Sequence, residues 1–190
     1  MQGRVQHCAD NAGDRRLGAI WERAFCDLAA KAGRAVTPLQ IEHKDGAAVY
    51  FRFDGRAWHR YTLPDVAVWN YPGEYYEIKH KAATSGGLFG LEKYRFDALM
   101  DFAKLTRQGV YYAIHDHAMA GGRDSQINSI AHWLVADVLA LDGRWTYASE
   151  MTSYVGGKSK RVMGYYWHRS LWQPLVDLWS RTCDEQFFLR

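Results

Sequence analysis

The stretch LPDVAVWNYPGEYYEIKHK, residues 63–81, sets a Pro-Asp pair ahead of an alternating Glu-Ile-Lys. β-Branched and aromatic residues on both sides of Tyr71-Pro72-Gly73 predict two short strands joined by a turn. Residues two apart on a strand share a face, so Glu77 and Lys79 point the same way and Ile78 points into the opposite layer. Tyr75 joins the Glu77 face and Tyr76 the Ile78 face. If the strands pair across the turn, Asp65 comes level with Glu77. Two carboxylates held that close repel unless a cation separates them. Hard oxygen ligands suit Mg²⁺, which keeps several waters and accepts one or two carboxylates plus phosphate oxygens. The Ile78 backbone carbonyl is a further candidate ligand. The Lys79 ammonium would steady an attacking water or offset charge building on phosphorus. The bland alternative is an exposed cross-strand Glu–Lys pair, worth well under ~1 kcal/mol.

Upstream, residues 1–13 read as an arm, and an apolar face of Leu17, Ile20, Trp21, Phe25, Leu28 and Ala29 predicts a helix from Asp14 to a stop at Gly33. The turn signals Asp45-Gly46 and Asp54-Gly55 predict a meander of strands up to Pro64. Downstream, Leu91, Tyr94, Phe96, Leu99, Phe102, Ala103 and Leu105 predict a half-buried helix ended by Gly109. VYYAIHDH, beginning at Val110, reads as a strand, and AMAGGRDSQ as an exposed loop. IAHWLVADVLAL, from Ile130, fits either a buried strand or a helix. A hairpin is expected about Gly156-Gly157, followed by a long aromatic strand. Helix, strands, helix, strand is the order of a mixed α/β sheet with helices packed on it.

The whole chain of 190 residues suits one domain, 1–190. Lys and Arg total 24 against 21 acids, so an anionic partner is permitted but not demanded. Cys8, Cys26 and Cys183 show no metal-ligand or disulfide spacing. No apolar run is long enough for a bilayer, and no leader pattern opens the sequence, so a cytoplasmic protein without a membrane partner is expected.

The Pro64-Asp65 … Glu77-Ile78-Lys79 pattern resembles the PD-(D/E)xK nuclease superfamily, whose core is the restriction-endonuclease-like fold. Gly18, Glu22, Arg23, Phe25 and Gly33 resemble the opening of its archaeal Holliday-junction-resolvase-like members. The resemblance covers about residues 17–115 and implies a core over about 14–115, with a β-rich C-terminal extension over about 116–190. It implies Mg²⁺, with Mn²⁺ as a substitute, held by Asp65 and Glu77, and Lys79 as the catalytic lysine. Glu22 would be an accessory ligand or would orient water. Arg95 stands where many relatives have Gln, and from there it would contact the scissile phosphate. DNA is the implied partner and a homodimer is possible, with branched or structured DNA in recombination, repair or phage processing as candidate substrates.

Lys158, Lys160 and Arg161 in GGKSKR fit a hairpin tip contacting phosphates, or equally a solubilising turn. Lys81 and His80 are expected at the DNA side, and His80 alternatively as a structural residue. His115-Asp116-His117 reads as a solvated loop. Tyr154, Tyr165, Tyr166, Trp167, Trp172 and Trp179 are either core, a dimer face, or a surface stacking on unpaired bases. Two rivals share the fold without the chemistry: a catalytically inactive nucleic-acid-binding module, and a protein-interaction subunit.

Overall fold

The computed structural model describes residues 11–39, 49–53, 58–69, 73–117, 129–155 and 158–187. The first helix, α1 (Asn11–Lys31), begins earlier than Asp14, so residues 11–13 of the expected arm are helical. It ends as expected: Gly33 takes φ +75, and the Arg34 N–H closes the last turn on the Ala29 carbonyl at 2.9 Å. Four short strands follow, β1 (Val36–Pro38), β2 (Val49–Phe53), β3 (Trp58–Thr62) and β4 (Val66–Val68). β2 and β3 form a separate hairpin. The Asp45-Gly46 and Asp54-Gly55 turns lie outside the described residues. Next come β5 (Glu74–Lys81), β6 (Leu88–Glu92), α2 (Lys93–Thr106) and β7 (Gly109–Asp116).

The remainder comprises β8 (Trp133–Asp137), α3 (Val138–Leu141), β9 (Tyr147–Val155), β10 (Lys158–His168), β11 (Gln173–Pro174) and α4 (Leu175–Phe187). The central sheet has six strands in the order β1-β4-β5-β7-β8-β11. It is mixed, because β5 and β7 run parallel while its other neighbours are antiparallel. A smaller sheet, β6-β10-β9, lies beside α2. The α/β class and the helix-flanked mixed sheet expected from the sequence are what the structure has.

Alternation along the central strands makes two cores. Tyr76, Ile78, Ala113, Trp133 and Val135 face α1 and α4, meeting Trp21, Phe25, Leu28, Leu178 and Trp179. Tyr112, Ile114, Leu134 and Ala136 face the other way, meeting Phe96 and Leu99 of α2 and Trp167 of β10. A buried polar link ties β5 to α4 on the first side. Tyr76 Oη donates to Glu74 Oε2 at 2.7 Å, and Trp179 Nε1 donates to Tyr76 Oη at 3.0 Å.

Several expected boundaries move. Leu88–Glu92 is a strand rather than the start of the second helix, because it pairs antiparallel with Gly164–His168. That helix ends at Thr106 with Arg107 in the left-handed region, φ 56, and Gly109 opens β7 instead of stopping the helix. Ile130–Leu141 is both of its alternatives, a strand flanked by helical turns. β7 runs on through His115 and Asp116, both 0% exposed, so this segment is not a solvated loop. The loop at 118–128 lies outside the described residues. β9 and β10 form the expected hairpin, whose Gly156-Gly157 tip also lies outside them. Beyond residue 115 the chain is not only an added layer, since β8 and β11 are strands of the central sheet. Among the described residues, no helix is long and apolar enough to cross a membrane.

Candidate active site

The ladder between β4 and β5 places Val66 opposite Tyr76, which sets Asp65 level with Glu77. At this point the antiparallel ladder stops, and the Asp65 side chain takes over as acceptor. Its Oδ2 accepts the Ile78 N–H at 2.6 Å. The N–H and C=O of one strand residue point to the same edge, so the Ile78 carbonyl faces the edge where Asp65 stands.

Glu77 and Lys79 do share a face, and Lys79 Nζ donates to Glu77 Oε1 at 2.6 Å. Lys79 also stands 3.8 Å from Asp65 Oδ2. Asp65 is 3% exposed and Glu77 1%, so both acids are out of bulk water while about a third of the Lys79 side chain is not. Arg95, projecting from the first turn of α2, completes the cluster. Its Nε donates to Glu77 Oε1 at 2.9 Å, its Nη2 donates to Glu77 Oε2, and the same Nη2 reaches the Leu63 carbonyl at 3.1 Å. It lies 3.6 Å from Asp65 Oδ1.

Electrostatics separate the acids. Burial, reinforced by the Glu77 charge, pushes Asp65 up to about 6. Glu22 on α1 is half-buried and pushed up to about 7, first by desolvation and then by the Asp65 charge. From α1, Glu22 thus feels the charges of Asp65, Lys79, Glu77 and Arg95. Burial alone would raise Glu77, but the Arg95 and Lys79 cations outweigh it and hold it down at about 2. For Lys79, burial works toward a lower value, and Glu77 and Asp65 overcome it, keeping the ammonium above its ordinary range.

Three residues expected to touch DNA are otherwise engaged. Arg95, 8% exposed, is committed to Glu77, which corrects the expected phosphate contact. Lys81 turns into the fold and donates to the Gly90 carbonyl at 2.5 Å, and burial lowers it to about 8. His80 stacks on Trp21 with ring centroids 3.7 Å apart. Its Nδ1 lies 3.2 Å from His115 Nδ1 and its Nε2 3.2 Å from His117 Nδ1. His80 is therefore the middle of a packed imidazole chain under α1. Lys160 and Arg161 are exposed on β10, and Arg161 reaches Glu150 at 3.3 Å. The Lys158 and Tyr154 side chains lie outside the described residues. Trp167, Trp172 and Trp179 are interior, which rules them out as a dimer face or a base-stacking surface.

The sequence reading missed that Arg95 is the counter-charge of Glu77. A signal was present: a glutamate on a strand face looking into an apolar core needs more than one partially exposed lysine.

The donor chemistry at the cleft, with carboxylates of Glu22, Asp65 and Glu77 and the Ile78 carbonyl, fits a hard divalent cation. The side chains do not stand at ligand spacing, and among the described residues no group of three or more His, Cys, Asp or Glu does.

No family model matches the chain, and no curated protein matches it. Among solved structures it is similar to Hjc, a Holliday junction resolvase from the archaeal hyperthermophile Archaeoglobus fulgidus. The TM-score is 0.48 at 13% identity, covering 86% of this chain and 95% of that one.

Proposed function

We propose that the protein is a metal-dependent DNA nuclease of the restriction-endonuclease-like kind, hydrolysing phosphodiester bonds at the Asp65–Glu77–Lys79 cluster. The observation that carries this reading is the convergence of Asp65, Glu77 and Lys79 at the point where the β4–β5 ladder opens. Glu22 joins them in this reading because their charges reach it. Mg²⁺, or Mn²⁺ in its place, would be held by Asp65, Glu77 and the Ile78 carbonyl, with Glu22 at the margin. When bound it would supply Lewis-acid stabilisation of charge on the phosphoryl oxygens.

The chain's own residues divide the remaining work. Lys79 stays protonated beside two acids, so its role is to offset charge on the reacting phosphate rather than to accept a proton. Glu22, poised near neutrality, is the group able to take a proton from an attacking water at physiological pH. Asp65 and the Ile78 amide fix the edge on which the phosphate would lie. The resolvase-like opening of α1 at Gly18, Glu22 and Arg23 favours branched or structured DNA as the substrate.

Because both Glu77 oxygens are occupied by Arg95, a second reading has support: a DNA-binding module that no longer cuts. Plasmid nicking with Mg²⁺, Mn²⁺, Ca²⁺ and chelator separates the two. The nuclease reading expects Mg²⁺- or Mn²⁺-dependent nicking that falls at least about 100-fold in Lys79→Ala, Asp65→Asn and Glu77→Gln, a loss on the scale of general-acid or electrostatic groups. Equal nicking by all variants, or none by the wild type on any DNA form, would end it.

A further inference from the structure

Two stacked ring pairs meet at one corner of the small sheet, one on each of its faces. Cross-strand partners share a face, and the register sets Tyr166 of β10 between Gly90 of β6 and Tyr147 of β9. The Tyr147 and Tyr166 rings stand 4.8 Å apart and nearly parallel, at 17°. Tyr166 leans over Gly90, whose missing side chain makes the room: a Cβ there would stand 2.7 Å from the ring. The row therefore runs Gly90, Tyr166, Tyr147, and its outer ring lies 42% exposed on β9, the edge strand of that sheet. The second pair is Trp145 on Tyr165, 4.5 Å apart at 13°. There Lys93 already stands over the tyrosine and Phe96 packs edge-on against it.

The two rows differ in what borders them. By alternation along β10, the Tyr166 face also carries Lys160, which is exposed. Gly90, beneath Tyr166, gives its carbonyl to Lys81 at 2.5 Å, and Lys81 shares its strand face with Lys79 and Glu77. One lysine side chain thus links the strand under Tyr166 to the acid cluster. A flat aromatic ring with cations beside it suits a nucleobase and its phosphate, since every base has a π-face to stack. In paired DNA each base is already stacked within the helix. Only an unpaired base is free to cap Tyr147.

We infer that Tyr147 and Tyr166 form a stacking platform for one unpaired nucleobase of the strand whose backbone lies in the neighbouring cleft. This rests on the nuclease reading and narrows its substrate class to DNA that carries an unpaired nucleotide, such as a bulge or a flap. Stacking tolerates all four bases, so the platform selects for the unpaired state and not for sequence.

The test is fluorescence anisotropy of the full chain in chelator, with three labelled DNAs: a fully paired duplex, the same duplex with one bulged thymine, and that duplex with an abasic site in place of the bulged thymine. The wild type should bind the thymine bulge at least about five-fold tighter than either of the others, the scale of one stacked base. The abasic probe separates stacking from the bend that any bulge introduces. Tyr147→Ala and Tyr166→Ala should lose the preference, whereas Tyr147→Trp and Tyr166→Phe, which keep a ring, should retain it. The salt slope should not change in any of them, because a ring neutralises no phosphate. Trp145→Ala, in the pair on the opposite face, should keep the preference. If Tyr166→Ala does not fold, as judged by circular dichroism, Tyr147→Ala decides, since its ring is exposed. Equal wild-type affinity for the three DNAs, a preference that survives Tyr147→Ala, or one lost equally in Trp145→Ala overturns the inference and leaves the nuclease reading to the nicking assay. No binding to any of the three DNAs, together with no nicking, overturns both.

Discussion

At Glu22 and Asp65 the fold makes a negative charge harder to hold, and at Glu77 it makes one easier. Asp65 rises from 3.8 to about 6 and Glu22 from 4.5 to about 7. With a raised value the native state keeps a proton that the unfolded chain has released. The stability lent by these two groups is therefore complete below their ordinary values and is lost as pH climbs through about 6 to 7. Glu77 acts in the opposite sense: its share is complete above 4.5 and is lost as pH falls toward about 2. Lys81, lowered from 10.5 to about 8, changes its contribution only above that window. In chelator, the melting temperature should thus decline from about pH 5 to about pH 7.5, and the double variant Glu22→Gln/Asp65→Asn should flatten that decline. Scanning calorimetry of both proteins across the range checks it, and parallel slopes would show that the two carboxyls are not linked to folding. The sequence showed that Asp65, Glu77 and Lys79 meet, because a two-residue period and one turn suffice for that. It could not show which acid keeps its proton. That depends on Arg95 arriving from a helix, and on how deeply each group lies under its neighbours.

Among the elements, β5 was legible and β6 was not, for a physical reason. The alternation in Glu74–Lys81 is self-contained, whereas Leu88–Glu92 runs into α2 with apolar spacing that continues a helical pattern. Its extended state comes from pairing with Gly164–His168, far along the chain, so tertiary context overrides the local signal. Gly90 shows how close that pairing is: a Cβ there would stand 2.7 Å from Tyr166 Cε1. The same pairing explains the aromatic series. Trp167, next to the Tyr166–Gly90 pair, turns inward, donates its Nε1 hydrogen to the Leu141 carbonyl at 2.9 Å and packs 4.9 Å from Phe96. Replacing a side chain so enclosed by Ala should cost about 3–5 kcal/mol. Trp145→Ala, at a ring that is 36% exposed and stacked 4.5 Å from Tyr165, should cost well under half of that. Urea unfolding of the two variants makes the comparison, and equal destabilisation would place Trp167 at a surface after all.

On the scale of the whole molecule, the nuclease reading asks what would present a duplex to the cleft where β4 and β5 part in the central sheet. β6 covers β10 only from Gly164 onward, and among the described residues Lys158–Met163 pairs with β9 alone. That leaves a two-stranded ribbon running out from the small sheet. Its root is close to the cluster: Lys81, on the same strand face as Glu77 and Lys79, donates to Gly90 of β6, and the next acid on that strand, Glu92, is held low by the Lys81 and Lys79 charges against the effect of its own burial. A two-stranded ribbon has the dimensions of a major-groove probe, and isolated ribbons are only marginally rigid, so a bound duplex would order it. Arg161 pairs with Glu150 in full exposure, an interaction worth too little to keep the guanidinium from a phosphate. Substituting Lys158, Lys160 and Arg161 by Ala should then weaken DNA binding and lower the slope of log affinity against log salt by about 0.9 for each phosphate no longer neutralised. The Mg²⁺-dependent cleavage rate of DNA already bound should stay within about two-fold, since Lys160 and Arg161 stand exposed on β10 and independent sites contribute separately. Fluorescence anisotropy over a salt series, beside single-turnover cleavage at saturating enzyme, measures both quantities. An unchanged salt slope would reduce the ribbon to a solvated turn, and a collapse of single-turnover cleavage with binding intact would mean that it orders the cluster rather than the duplex.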